Sequence, residues 1–226
     1  MVEAGESREA IRARIKTTFV DTFATMDQHE MKIEEEKGNV QVRQSWDDVK
    51  NVMVNFAEQK VIDGIVPDDF KPFFDNWDTL GAGANDTIES LSKIGSDDGV
   101  DTMKVVAKAP WPISNRIMFS TRYLESENEG HMMLFCSAGN ERYAADENIF
   151  TAKEKKKLVV ATVFCSGWWV KPVKNEAGEV TGTNMLYYSC IEAGGNIPAF
   201  VQNSQGPKTA LNSIKGAVAW ARAAKK

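Results

Sequence analysis

The sequence predicts an α+β fold, a curved antiparallel sheet closed by a long C-terminal helix, and three observations predict it. Between residues 40 and 191, apolar residues recur at every second position in a series of short runs, the period of strands whose side chains alternate between faces. Polar turns separate many of these runs, so neighbouring strands are expected to pair antiparallel. After Pro198 the period changes, and Val201, Leu211, Ile214 and Val218 form the stripe of a final helix.

The elements follow in order. From Ser7 to Glu36, Ile11, Ile15, Phe19, Phe23 and Met26 recur at spacings of three or four, which predicts an amphipathic helix with a charged back, ended by Gly38 and Asn39. Val40, Val42 and Gln44, then Val52, Val54 and Phe56, read as two strands. Pro67-Asp68-Asp69 is a helix-start signal, followed by the apolar stripe Phe70, Phe73, Phe74 and Trp77. Strands are then predicted over 87–94, 102–109, 116–125, 132–137, 157–164, 168–173 and 184–191, with a turn at Ser96-Asp97-Asp98-Gly99 and another over 175–182. The connection 139–157, with its run Lys153-Glu154-Lys155-Lys156-Lys157, shows neither period and is read as a long functional or mobile loop.

Composition limits function. The 226 residues carry 32 acidic and 27 basic side chains, a formal charge of −5, which disfavours an extended basic face for nucleic acid. At 42% hydrophobic and 26% charged, the chain is expected to fold as one well-cored domain. Cys136, Cys165 and Cys190 are an odd number at wide spacing, and each lies in a strand pattern, so they read as small buried hydrophobes in a reducing compartment. No secretory apolar run and no stretch of ~20 apolar residues is present, which predicts a cytoplasmic protein.

Catalytic patterns fail on spacing. His29 and His131 are the two histidines, and neither has a second imidazole at metal-ligand spacing, so no metal is expected. No Gly-x-Ser-x-Gly elbow occurs. Gly81-Ala82-Gly83 precedes a strand rather than a helix, and Gly206-Pro207-Lys208-Thr209 lacks the upstream strand of a phosphate loop, so no nucleotide cofactor is expected.

Three segments carry a resemblance. Pro110-Trp111-Pro112-Ile113-Ser114-Asn115-Arg116, Ser166-Gly167-Trp168-Trp169-Val170-Lys171-Pro172, and Glu192-Ala193-Gly194-Gly195-Asn196-Ile197-Pro198-Ala199-Phe200-Val201-Gln202-Asn203 resemble, in order and approximate spacing, the START family of lipid-binding domains. Ala193 and Glu192 replace the proline and aspartate usual in that family, and Phe200 and Ser204 stand where tryptophans are frequent. The resemblance implies a helix-grip fold, a bent sheet wrapped around the C-terminal helix with an internal ligand cavity. It divides the chain into an N-terminal helix over 1–37, part of or packed on the domain, and a START-like lipid-binding domain over 38–226.

The expected function is that of a non-enzymatic lipid-binding protein, holding one lipid and transferring it between membranes or sensing it. A phospholipid is the first expectation, with sterol or fatty-acyl ligands next. A cyclase or aromatase on the same fold and a lipid-dependent regulatory module are the alternatives. The partners are a lipid and, transiently, a membrane surface, with the chain a monomer that is peripheral at membranes. Met118, Phe135, Trp169, Met185 and Tyr187 are expected to face the ligand from the sheet, and Phe200, Val201, Leu211 and Ile214 from the helix. Arg122 and Asn203 are the expected polar contacts, whereas Arg116 is read as half of a structural ion pair. The helix from Pro198 to Ala223 is expected to act as a lid hinged at Gly194-Gly195 and Gly206-Pro207, with Lys153–Lys157, Lys225 and Lys226 attracting anionic membranes.

Overall fold

The computed structural model describes residues 6–35, 39–97, 100–195 and 197–226. The expected helix end at Glu36–Gly38, the tip Asp98-Gly99 and Asn196 lie outside them. Helix α1 (Arg8–Ala24) starts where the Ser7 hydroxyl accepts from the Ala10 amide at 3.2 Å, satisfying one N–H of the first turn, and it buries Ile11, Ile15 and Phe19. The helix is shorter than its predicted 7–36. Past Met26 the apolar spacing drops to two at Met31 and Ile33, and β1 (Glu30–Glu35) forms there as an edge strand.

Strands β2 (Val40–Asp47) and β3 (Val52–Asp63) follow, then a 3-10 turn (Pro67–Phe70) and two short helices, α2 (Lys71–Asp75) and α3 (Trp77–Ala84). Strands β4 (Ile88–Asp97), β5 (Val100–Ala107), β6 (Arg116–Glu127) and β7 (Gly130–Cys136) form a meander. The sheet finishes with β8 (Val159–Lys174) and β9 (Val180–Glu192), and α6 (Ala199–Ala224) closes the chain. The nine strands are ordered β1-β2-β3-β9-β8-β7-β6-β5-β4. Beyond the end of β7, β8 also pairs parallel with β6, through 116–118 and 159–161.

The two strands expected over 157–164 and 168–173 are one 16-residue strand interrupted by a bulge between Val163 and Cys165. The bulge reverses which face successive residues present, which hides the continuity from a period-two reading.

The sheet separates two cores. On its inner face α2, α3 and α6 pack with Val170, Met185, Phe73, Ile214 and Val218. On its outer face α1 covers Phe56, Leu134, Tyr188 and all three cysteines. Arg8 pins that helix, donating to Thr121 Oγ1 at 2.6 Å and Asn140 Oδ1 at 3.3 Å. The connection over 139–157 is structured: α4 (Glu141–Ala145) and α5 (Ala152–Lys157) cover Phe119 with Tyr143, Ile149 and Phe150. Thr151 and Glu154 form the capping box that starts α5.

Candidate functional site

Between the inner sheet face and α6 lies a cavity of about 290 Å³. Its sheet wall follows the two-residue period: Met53 and Asn55 from β3, Val105 and Ala107 from β5, Met118 and Ser120 from β6, Tyr187, Ser189 and Ile191 from β9. On β8 the wall runs Ala161, Val163, then Ser166 and Trp168, the change of parity being made by the bulge. Trp168 therefore faces inward and Trp169 outward, where Lys171 Nζ stands 4.6 Å over its ring. Trp169, expected to face the ligand, is outside the cavity lining, and Trp168 lines it instead.

Part of the cavity lining is an aromatic box. The Trp168 ring lies 5.0 Å from both Trp77 and Tyr187, with Phe135 6.2 Å away. The Trp168 indole donates to the Ser213 carbonyl at 3.2 Å, joining sheet to helix. Pro110 and Ile113 from the turn after β5, and Ile197 and Val201 around the start of α6, also line the cavity. Trp111 and Phe200, on these same two segments, are 93% and 73% exposed.

Helix α6 presents Val201, Gln205, Thr209 and Ser213 to the cavity, a four-residue repeat that is more polar than the apolar stripe read from the sequence. Of the expected contacts, Met118, Phe135, Tyr187 and Val201 line the cavity. Met185 and Ile214 are instead fully buried in the fixed core, and Leu211 packs against its edge. Phe200 and Asn203 face solvent, because a residue one or two positions from Val201 is turned about 100–200° away on a helix.

The two arginines are not placed as expected from sequence. Arg122 ion-pairs with Asp101 at 2.6 Å and donates to the carbonyls of Phe74 and Asp75 at 3.0 and 3.2 Å, which ties β6 to the end of α2 and leaves it out of the cavity wall. Burial raises the Asp101 carboxyl pKa, but hydrogen bonds from Lys93 and Arg122 outweigh it and the net direction is down. Arg116 has no carboxylate partner among the described residues and lines the cavity. Its Nε donates to the Ala193 carbonyl at 3.0 Å, its Nη2 to Gly194 at 3.1 Å and its Nη1 to Ser114.

That clasp bears on the expected hinge. Gly194 and Gly195 have φ of +65° and +64°, and a Cβ on Gly194 would collide with the Val160 carbonyl. The pair forms a fixed corner rather than a pliant joint. Pro207 interrupts α6 instead: it has no amide for the Asn203 carbonyl, and before it no described side chain of the helix is fully buried, whereas Pro207, Ala210, Ser213, Ile214, Ala217, Val218 and Ala221 after it are.

Other reactive groups lie elsewhere. His131 bridges Asp68 at 2.7 Å and Ser126 at 3.0 Å at the surface, tying the β6–β7 hairpin to the 67–70 turn outside the cavity wall. No cluster of three or more acidic, histidine or cysteine ligands occurs among the described residues. Nor is any described helix long and apolar enough to cross a membrane.

No family model matches the chain, and no curated protein matches it by sequence. Solved structures do match its shape. Human StAR-related lipid transfer protein 5 aligns with a TM-score of 0.74 over 95% of this chain and 96% of its own, at 12% identity. Human STARD10 aligns at 0.69 over 97% of this chain and 81% of its own, also at 12% identity. A STAR-related lipid transfer protein fragment from Xanthomonas axonopodis gives 0.62 over 86% and 98%, at 14% identity. With the strand order, the closing helix and the cavity between them, this likeness identifies the fold of the chain as the helix-grip fold of StAR-related lipid transfer domains.

Proposed function

We propose that the protein carries one amphipathic lipid in the cavity between its sheet and α6, and moves it between membranes without chemical change. The observation that carries this reading is the cavity itself, a largely apolar space with an aromatic box, beside two exposed aromatic side chains on segments that line it. Moving an acyl chain through water costs about 0.8 kcal/mol per methylene, so a two-chain lipid meets a barrier of very roughly 20 kcal/mol when it leaves a bilayer unaided. A cavity as apolar as the bilayer removes the aqueous intermediate and needs little net affinity.

At about 290 Å³, the cavity lies just below the roughly 300–1,000 Å³ typical of ligand pockets. A phospholipid, the first ligand in this proposal, is admitted when the first two turns of α6 swing outward at Gly206-Pro207. Trp111 and Phe200 are placed to enter the membrane interface as this happens, since indole and phenyl side chains favour that zone. The peripheral location proposed here needs no spanning segment.

Native mass spectrometry of the gently purified protein is the test, followed by transfer of a fluorescent lipid between vesicles. One retained lipid per chain and accelerated transfer are expected. A chain that retains no lipid and leaves transfer at the spontaneous rate overturns the reading, and retention without transfer favours a sensor.

A further inference from the structure

Arg116 is 8% exposed, faces the cavity and holds a charge that no carboxylate of the described residues offsets. Other arginines of the chain are neutralised by acids: Arg122 by Asp101, Arg12 by Glu125 and Arg14 by Glu6. Three backbone carbonyls satisfy three of its N–H groups, and a guanidinium has five. Clasping carbonyls requires donors and does not require a full charge, and an uncompensated buried cation is costly. Burial alone displaces its pKa, downward, with no acid lifting it back.

The surroundings add direction. Ala107 is the cross-strand partner of Arg116, and Lys108, the exposed residue that follows it, donates its ammonium to the Asp86 carbonyl at 2.7 Å. Gly195 carries no side chain over the guanidinium, and a Cβ there would stand 3.8 Å from Nη2. The same cavity is lined by the aromatic box of Trp168, Trp77 and Tyr187. Its lining thus combines one buried cation with an apolar aromatic cluster.

We propose that Arg116 receives the anionic group of the carried lipid, a phosphate or carboxylate, while the hydrocarbon runs to Trp168 and Trp77. This rests on the carrier reading and adds the class and orientation of the cargo.

The experiment compares two probes with identical chains, fluorescent dioleoyl phosphatidic acid and fluorescent dioleoylglycerol, extracted from neutral phosphatidylcholine vesicles. A charge-assisted bidentate contact supports a preference of about tenfold or more for the phosphatidic acid. Arg116→Gln is expected to abolish that preference, read as the ratio of uptake of the two probes, and to lower the melting temperature because it also removes donors to the Ala193, Gly194 and Ser114 carbonyls. Equal uptake of both probes by the native chain, or a preference that survives Arg116→Gln, overturns the assignment and leaves the carrier reading standing. Uptake of neither overturns both. Should Arg116→Gln not fold, the native chain alone decides: octanoate is expected to raise its melting temperature more than octanol does. No difference between the two overturns the proposal, and an equal rise with inorganic phosphate alone does so in favour of a free-anion site.

Discussion

The indole N–H of Trp168 donates to the backbone carbonyl of Ser213 at 3.2 Å, fastening the middle of β8 to the rear of α6. Replacing Trp168 by Phe removes that bond and part of a buried ring, and is expected to cost about 1–3 kcal/mol. Trp169→Phe, on the half-exposed outer side, is expected to cost less. Urea unfolding midpoints of the two variants test the order, and equal losses contradict the inward placement of Trp168.

At Gly194 the positive φ and the adjacent Val160 carbonyl both exclude a side chain. Gly194→Ala is expected to destabilise by at least about 1–2 kcal/mol, because strain and displacement add. Thermal unfolding measures it. A variant as stable as the native chain contradicts the fixed corner and restores the hinge expected there from sequence.

Pro207→Ala gives the Asn203 carbonyl an amide partner and is expected to stiffen the front of α6 by about 1–3 kcal/mol. If that segment is the lid, lipid transfer slows severalfold while the unfolding midpoint stays level or rises. Transfer at the native rate places the moving part elsewhere.

Trp111→Ala and Phe200→Ala touch no core and are expected to change stability by less than about 0.5 kcal/mol. Each is expected to weaken vesicle binding severalfold, read by flotation. Binding unchanged in the double variant removes the proposed docking face.

The three thiols are buried, and burial drives each pKa upward, that of Cys190 to about 11 from 9.0. A group that holds its proton more tightly when folded stabilises fully below the unfolded value and loses that contribution as pH rises through the folded one. Stability is therefore expected to fall between pH 9 and about 11, less steeply in Cys190→Ala. Thiol reagents are expected to react with the native protein only as fast as it opens, which stopped-flow labelling with and without urea tests.

Much of this architecture was legible from periodicity alone. The meander and the final helix follow from changes between period two and period 3.6, and the motifs around Arg116 and Gly194 mark where sheet meets helix. The site was less legible, for local reasons. A single inserted residue at Phe164 sends it and Cys165 to the same face and exchanges the roles of the two following tryptophans, which alternation cannot anticipate. On α6 the apolar positions Leu211 and Ile214 serve the permanent core, leaving Gln205, Thr209 and Ser213 for the cavity, so hydrophobicity pointed to the wrong face. The Thr151-to-Glu154 capping box was present in the sequence and marks α5 within what read as a loop.

Gly216 has its own consequence. With no Cβ, α6 lies directly on the Ala84 carbonyl, at a contact that even a methyl group would break. The rear of the helix is thereby bolted to α3 with no slack, so room for bulkier cargo has to come from shorter side chains lining the chamber or from the front two turns.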